Sequence, residues 1–215
     1  VEIDTVGRVP ALLGVTATDH RATEIEPRLW AQGVDGRSAL EEYLGLIVPV
    51  KRVLAGVFQS RIYQYFVAAA PGLKELMTSG KVGYEATREE RGRPAWDAIV
   101  VDAPATGHGL QYLQMPQAAR DTFGTGLVQR EAARVVGLLQ DPTVTAVHLV
   151  TLAEEMPVTE TLEAYARLTT DLALPVGAII VNRLHERRFA ATTIGRLRAA
   201  APPDDPAVAA LLAAV

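Results

Sequence analysis

The stretch WDAIVVDAPATGHGLQYLQMP, Trp96 to Pro116, constrains the fold of this chain more than any other. Ala98, Ile99, Val100 and Val101 form a continuous apolar run, the pattern of a parallel strand covered on both faces, and Asp102 stands at its carboxyl end. That end is where open α/β sheets bind ligands. Pro104, Thr106 and Gly107 then turn the chain and leave backbone N–H groups free, before Leu110 and Leu113 resume a helical pattern. A loop of this kind, between a strand and a helix, can sense a phosphate.

The segments on either side fit the same architecture. Leu40, Tyr43, Leu44, Ile47, Val50, Leu54, Val57, Phe58, Ile62, Tyr65 and Phe66 recur at three- and four-residue spacing. They predict helix from Arg37 to about Tyr84, bent or divided at Pro49, with aromatic residues that serve either helix packing or a binding surface. The charge run REERGR, Arg88 to Arg93, reads as a loop returning to the sheet. A helix is predicted over Phe123 to Leu139, closed by Asp141 and Pro142. TAVHLVTL, Thr145 to Leu152, is the next strand, its His148 read as a hydrogen-bonded core residue. Pro157 suits the first turn of the following helix. VGAIIVN, Val176 to Asn182, is another buried strand, ending in a polar residue at the same edge as Asp102. Beyond it Arg187, Arg188, Arg196 and Arg198 suit a solvated helical face, broken by Pro202, Pro203 and Pro206. This order predicts an α/β fold, a mostly parallel sheet flanked by helices, in one domain over residues 1–215 with a helical insertion at about 37–93.

With 215 residues, 49% of them hydrophobic, the chain can bury one sizeable core. Charged residues make up 21% and the net charge is −4, which offers no general attraction to nucleic acid or to an anionic membrane. No cysteine is present, so disulfides, thiolate metal sites and cysteine nucleophiles are excluded together. The sequence has no apolar run long enough to span a bilayer, and a cytoplasmic location is the expectation.

The run from Asp102 to Leu110, DAPATGHGL, resembles the switch II motif DTAPTGHTL of the arsenite-pump and tail-anchored-protein-targeting ATPases, the ArsA family. Ala103 replaces a threonine of that motif, and the proline is displaced to Pro104. VEIDTVGRVPALLG, from Val1, is similar to the strand and switch I region of the family; PGLKE, Pro71 to Glu75, to its PG-x-x-E stretch; VNRL, from Val181, to its VNQ motif. The resemblance implies the three-layer architecture of P-loop NTPases and a dimer, of two copies or with a paralogue, that closes around ATP. It places a hydrophobic protein client on the helical insertion between the two switches. It further implies that Asp102 holds Mg²⁺, that Asp4 orients the attacking water, that the Thr106 and Gly107 backbone reads the γ-phosphate, and that Asn182 contacts adenine. By residue type alone, Asp4 equally suits a turn cap ahead of Pro10, and Asn182 a strand-ending turn. His108 reads as a solvent-facing residue at a helix start, or as a group at the dimer interface that moves with nucleotide. The cysteine-based arsenite and zinc chemistry of family members is impossible here.

The phosphate-loop pattern GxxxxGK[ST] does not occur, and none of the three lysines, Lys51, Lys74 and Lys81, lies in a glycine-rich loop. The expectation is a chain incomplete at its N-terminus whose 215 residues hydrolyse ATP weakly or not at all by themselves. The alternative is a non-hydrolytic partner that uses the same fold as an interaction module. A ParA-like partitioning ATPase would show a basic DNA-contacting face, which the acidic balance does not favour.

Overall fold

The structure, a computed structural model, describes residues 1–4, 8–15, 21–48, 51–184 and 190–200. Pro49, the arginines at 187 and 188, and the prolines from 202 to 206 lie outside the described residues.

β1 (Glu2–Ile3) and α1 (Arg8–Leu12) open the chain. An antiparallel hairpin of β2 (Thr23–Glu26) and β3 (Leu29–Ala31) follows, and β4 (Gly33–Val34) comes back parallel to β1, Glu2 facing Gly33 and Ile3 facing Val34. On its other side β1 meets residues 100–102. The Val1 amino group donates to the Val100 carbonyl at 2.7 Å, Asp102 N–H to Val1 at 2.8 Å, and Ile3 N–H to Asp102 at 3.2 Å. Glu2 is buried between them, and its carboxylate accepts from Val9 N–H at 2.8 Å, in the first turn of α1 where backbone donors lack helical partners.

Four helices separate this strand group from the next. In α2 (Gly36–Ile47), the Asp35 side chain accepts from Arg37 and Ser38 N–H, both at 3.0 Å, which places the start one residue earlier than the predicted Arg37. α3 (Lys51–Gln59), α4 (Arg61–Ala69) and α5 (Leu73–Thr87) complete the group. Leu40, Tyr63 and Val67 form its core, with Leu44, Phe58, Leu73 and Met77 around them. Phe58 and Tyr63 stack at 5.2 Å between ring centres, so these two aromatics are helix-packing residues. α2 lies so close to α5 that a Cβ on Gly36 would meet the Lys74 backbone at 2.4 Å.

The charge run folds as a tight hairpin rather than a loop, β5 (Glu89–Glu90) with β6 (Arg93–Pro94). Arg91 and Gly92 at its tip both take positive φ, 55° and 75°, as such a hairpin demands. α6 (Thr106–Thr122) carries Pro116 in its interior. Proline has no N–H, so the Tyr112 carbonyl four residues earlier loses its helical donor. Ser79 of α5 supplies the replacement, its hydroxyl donating to that carbonyl at 2.6 Å.

α7 (Leu127–Gln140), β7 (Val147–Leu152), α8 (Glu155–Ala166), a π-helical turn over Arg167–Asp171, β8 (Val176–Asn182) and α9 (Ala191–Ala200) finish the described chain. β7 and β8 pair in parallel across the α8 crossover, with Leu152 facing Asn182. Leu110, Ala164, Leu168, Leu172 and Leu174 form the second core, against which Leu149, Val147 and Val176 pack.

Three expectations change. The apolar run before Asp102 is extended but joins β1 through a single bridge at Glu2 and Asp102, and Val100 is 81% exposed. Ile179, Ile180 and Val181, consecutive in β8, are each about half-exposed, so neither face of that strand is sealed by the described residues. Apolar runs mark strands suited to burial on both sides; among the described residues that cover is incomplete. His148 is exposed, not core: alternation along β7 turns it outward with Val150, while Val147 and Leu149 face the helices, and its ring lies over Gly177.

Candidate functional site

The carboxyl ends of β1 and of the neighbouring 100–102 segment place Asp4 and Asp102 on adjacent stretches of chain at the same edge. Asp102 ends its segment with both backbone groups tied to β1, leaving its side chain exposed. Asp4 follows β1 with φ at 56°, left-handed backbone that a non-glycine residue adopts at a cost, and its N–H donates to the Val34 carbonyl at 3.1 Å. Conformational strain of this sort concentrates at functional sites.

Four residues past Asp102, α6 begins. Ala105 precedes it without a side-chain cap, so the first N–H groups, those of Thr106 and Gly107 among them, have no intrahelical acceptor. The departures from the switch II motif fit one another. The carbonyl of displaced Pro104 lies 2.5 Å from where a Cβ at position 109 would stand, and that position is glycine in place of the motif's threonine.

One face of α6 then reaches back to Asp4. The Tyr112 hydroxyl donates to Asp4 Oδ2, and His108 Nε2 lies 3.4 Å from the same oxygen and 3.4 Å from the Tyr112 hydroxyl. The two rings meet edge to face at 5.1 Å, as residues four apart on a helix can. His108 Nδ1 lies 3.0 Å from Gln111 Oε1. Tyr112 is 3% exposed, whereas the Asp4 and His108 side chains are partly open to solvent. Burial, then the hydrogen bond to Asp4 and its charge, push the Tyr112 hydroxyl well above its ordinary pKa, so it remains a proton donor throughout the physiological range. His108 is thus a half-exposed residue in the first turn of α6, as the first reading has it, and it also lies beside Asp4 and Tyr112. Tyr112 is the residue that sequence reasoning missed; its i, i+4 spacing places it beside His108, but no sequence signal links it to Asp4.

Asn182 sits apart, at the end of the β7–β8 pair. Its Oδ1 accepts from Arg183 N–H at 2.9 Å, and Arg183 takes φ of 52°. This is the strand-ending turn, and it leaves the donor side of the amide unused by that bond. No hydrogen bond joins Asn182 to Asp4 or Asp102 among the described residues. Nor do these hold a cluster of three or more histidines and carboxylates able to cage a metal. A hard cation at Asp102 would thus be held by one carboxylate with water and phosphate oxygens, a donor set that suits Mg²⁺.

Residues 15–130, more than half of the chain, match the sequence pattern of the anion-transporting ATPase family. The chain belongs to the anion-transporting ATPase family. Among curated proteins this chain is similar to ATPase BagA of Mycobacterium tuberculosis (strain ATCC 25618 / H37Rv) and to "Putative ATPase Mb3704" of Mycobacterium bovis (strain ATCC BAA-935 / AF2122/97). Each is 37% identical over 170 residues, covering 78% of this chain and 48% of the relative. The chain thus spans about half the length of the curated relatives it matches. The α/β architecture with parallel strand pairs agrees with the family's P-loop NTPase fold. No helix among the described residues is long and apolar enough to cross a membrane.

Proposed function

We propose that the intact gene product carrying this chain is an ATP-hydrolysing, dimeric switch of the cytoplasm. In it the nucleotide state moves the helical region α2–α5, where a hydrophobic protein client binds. The observation that carries this reading is the pairing of Asp4 and Asp102 at adjacent strand ends, directly ahead of the α6 N-terminus. Phosphoryl transfer needs little covalent chemistry from the protein, so a few well-placed groups suffice. Asp102 is the Mg²⁺ ligand; the cation, when bound, neutralises charge on the phosphates. Asp4 accepts a hydrogen bond from the attacking water. The Thr106 and Gly107 N–H groups donate to the γ-phosphate, and its loss frees the loop. Asn182 contacts the adenine edge through its amide.

The client region is supported by a groove of about 270 Å³ between α2, α5 and α7, lined by Tyr43, Leu46, Met77, Tyr84, Val128 and Val135. Leu46 and Tyr84 are exposed there.

Steady-state ATP hydrolysis by the intact product tests the reading. Asp4→Asn and Asp102→Asn each lower kcat by on the order of a hundredfold or more. Wild-type turnover in both variants, or no turnover in the wild type, would end it. The second reading, a non-hydrolytic partner, is favoured by the absence of any lysine in a glycine-rich loop within these residues. It predicts nucleotide-independent pairing with another subunit and no turnover in the intact product. The 215-residue chain by itself is expected to hydrolyse ATP no faster than a denatured control.

A further inference from the structure

We infer that Tyr112 is a positioning residue that fixes the Asp4 carboxylate, and that it does so from a point where α5 and α6 are joined. The inference rests on Asp4 acting as the water-orienting group. Three observations carry it.

The first is geometric. Asp4 has left-handed backbone immediately after β1, so its side chain leaves the strand in a direction that the sheet does not dictate. The carboxylate is partly open to solvent, and an exposed carboxylate on a short side chain samples several rotamers unless something holds it. The Tyr112 hydroxyl donates to Oδ2, and the bond leaves Oδ1 to accept from water.

The second is that Tyr112 is itself held rigidly. Its ring is buried and packs edge to face against His108. Its carbonyl, orphaned by Pro116, is captured by Ser79 of α5 at 2.6 Å. One residue is therefore anchored at its backbone by the helical region and at its hydroxyl by the residue that follows β1. Displacing α6 along its axis would move the hydroxyl and the Ser79 contact together.

The third is chemical. A phenol kept as a donor by burial and by the adjacent carboxylate cannot compete with Asp4 for the water proton. Tyr112 acts through Asp4, not on the phosphate, and this separates it from Thr106 and Gly107.

The test is a double-mutant cycle in the intact gene product, with kcat and KM for ATP measured for wild type, Tyr112→Phe, Asp4→Asn and the double variant. Phenylalanine keeps the buried ring and removes only the hydroxyl. Tyr112→Phe lowers kcat by between about tenfold and a hundredfold, as a misplaced catalytic group does, with KM within about twofold of wild type. The double variant matches Asp4→Asn to within about twofold, because Tyr112 has nothing left to position. A purely structural role gives losses that multiply in the double variant, or a raised KM, and overturns the inference. So does an unchanged or raised kcat in Tyr112→Phe while Asp4→Asn is inactive. If Asp4→Asn itself turns over like wild type, the ATPase reading fails first. Thermal melts of the four proteins, expected to agree, exclude misfolding as the cause of any loss; a Tyr112→Phe melt that collapses overturns the positioning role.

Discussion

Glu85 shows how single residues hold the helical region to the strand group. It is buried in α5 yet charged, because Lys81 donates to Oε1 at 2.9 Å, Trp96 donates to Oε2 at 3.0 Å, and the Arg88 guanidinium forms an ion pair with Oε2 at 2.9 Å. Burial pushes its pKa up, but the hydrogen bonds from Lys81 and Trp96 and the charges of Lys81 and Arg88 outweigh it, so the net shift is downward. A carboxylate with a depressed folded pKa contributes stability that is fully present above its ordinary value of 4.5 and is lost as pH falls through the folded value. Glu85→Ala should cost about 3 kcal/mol at neutral pH, the low end for breaking a buried ion pair because Lys81 keeps Glu42. It should also flatten the acid limb of the stability curve, as read by denaturant unfolding from pH 7 downward. A second residue-scale prediction concerns two glycines of α6. A Cβ on Gly107 meets nothing within 4 Å, whereas one on Gly109 meets the Pro104 carbonyl at 2.5 Å. Gly107→Ala should hold or raise Tm, the usual helical gain, while Gly109→Ala should lower stability by about 1–3 kcal/mol by pushing the loop away. Thermal melts showing the same sign for both would refute that contact. The place of Asp102 at the end of its segment was legible in the sequence, because a carboxylate closing an apolar run is a chemical pattern, whereas Asp4 was singled out only through the family resemblance. Tyr112 was not legible, because its partner is Asp4, and no local rule connects residues more than a hundred positions apart.

At the scale of elements, helices packed face to face leave the clearest mechanical prediction. The Gly36 backbone sits against the Lys74 backbone, and a methyl group there would come within 2.4 Å of Cα and 2.5 Å of the carbonyl oxygen. No rotamer relieves a clash with main chain, so Gly36→Ala should separate α2 from α5 and cost on the order of 3 kcal/mol in denaturant unfolding. An unaffected midpoint would show that the two helices are not in this contact. Helical periodicity identified the region from Arg37 to Tyr84 correctly in type but merged several helices into one run. What divides α4 from α5 is Gly72, in left-handed backbone at φ 74°, a break that apolar spacing does not reveal. The small hairpin at Arg91 and Gly92 was hidden for a similar reason, since its charged residues read as loop while the turn conformation alone pairs the two strands. Asp35 likewise sets the start of α2 through side-chain oxygen, outside the apolar pattern that defined the helix. The apolar run ending at Asp102 was legible as chain that lies beside β1, but not in its single bridge or its exposure, which depend on what lies against it.

In the molecule as a whole, three features form one device. Asp4 and Asp102 stand at neighbouring strand ends; α6 starts beside them; and α6 is tied to α5 through the carbonyl that Pro116 leaves unpaired. Loss of a γ-phosphate contact at the start of α6 would therefore be felt at Tyr112 and Ser79, and so in the helices that line the apolar groove. The central claim is that nucleotide state passes along α6 into α5. Hydrogen–deuterium exchange of the intact gene product tests it most directly, comparing the Mg²⁺–ATP state with the Mg²⁺–ADP state. The account predicts slower exchange with ATP both at residues 103–112 and in α5 around Ser79, changing together. Protection at residues 103–112 with α5 unaltered, or no difference between the nucleotides at either place, would contradict it.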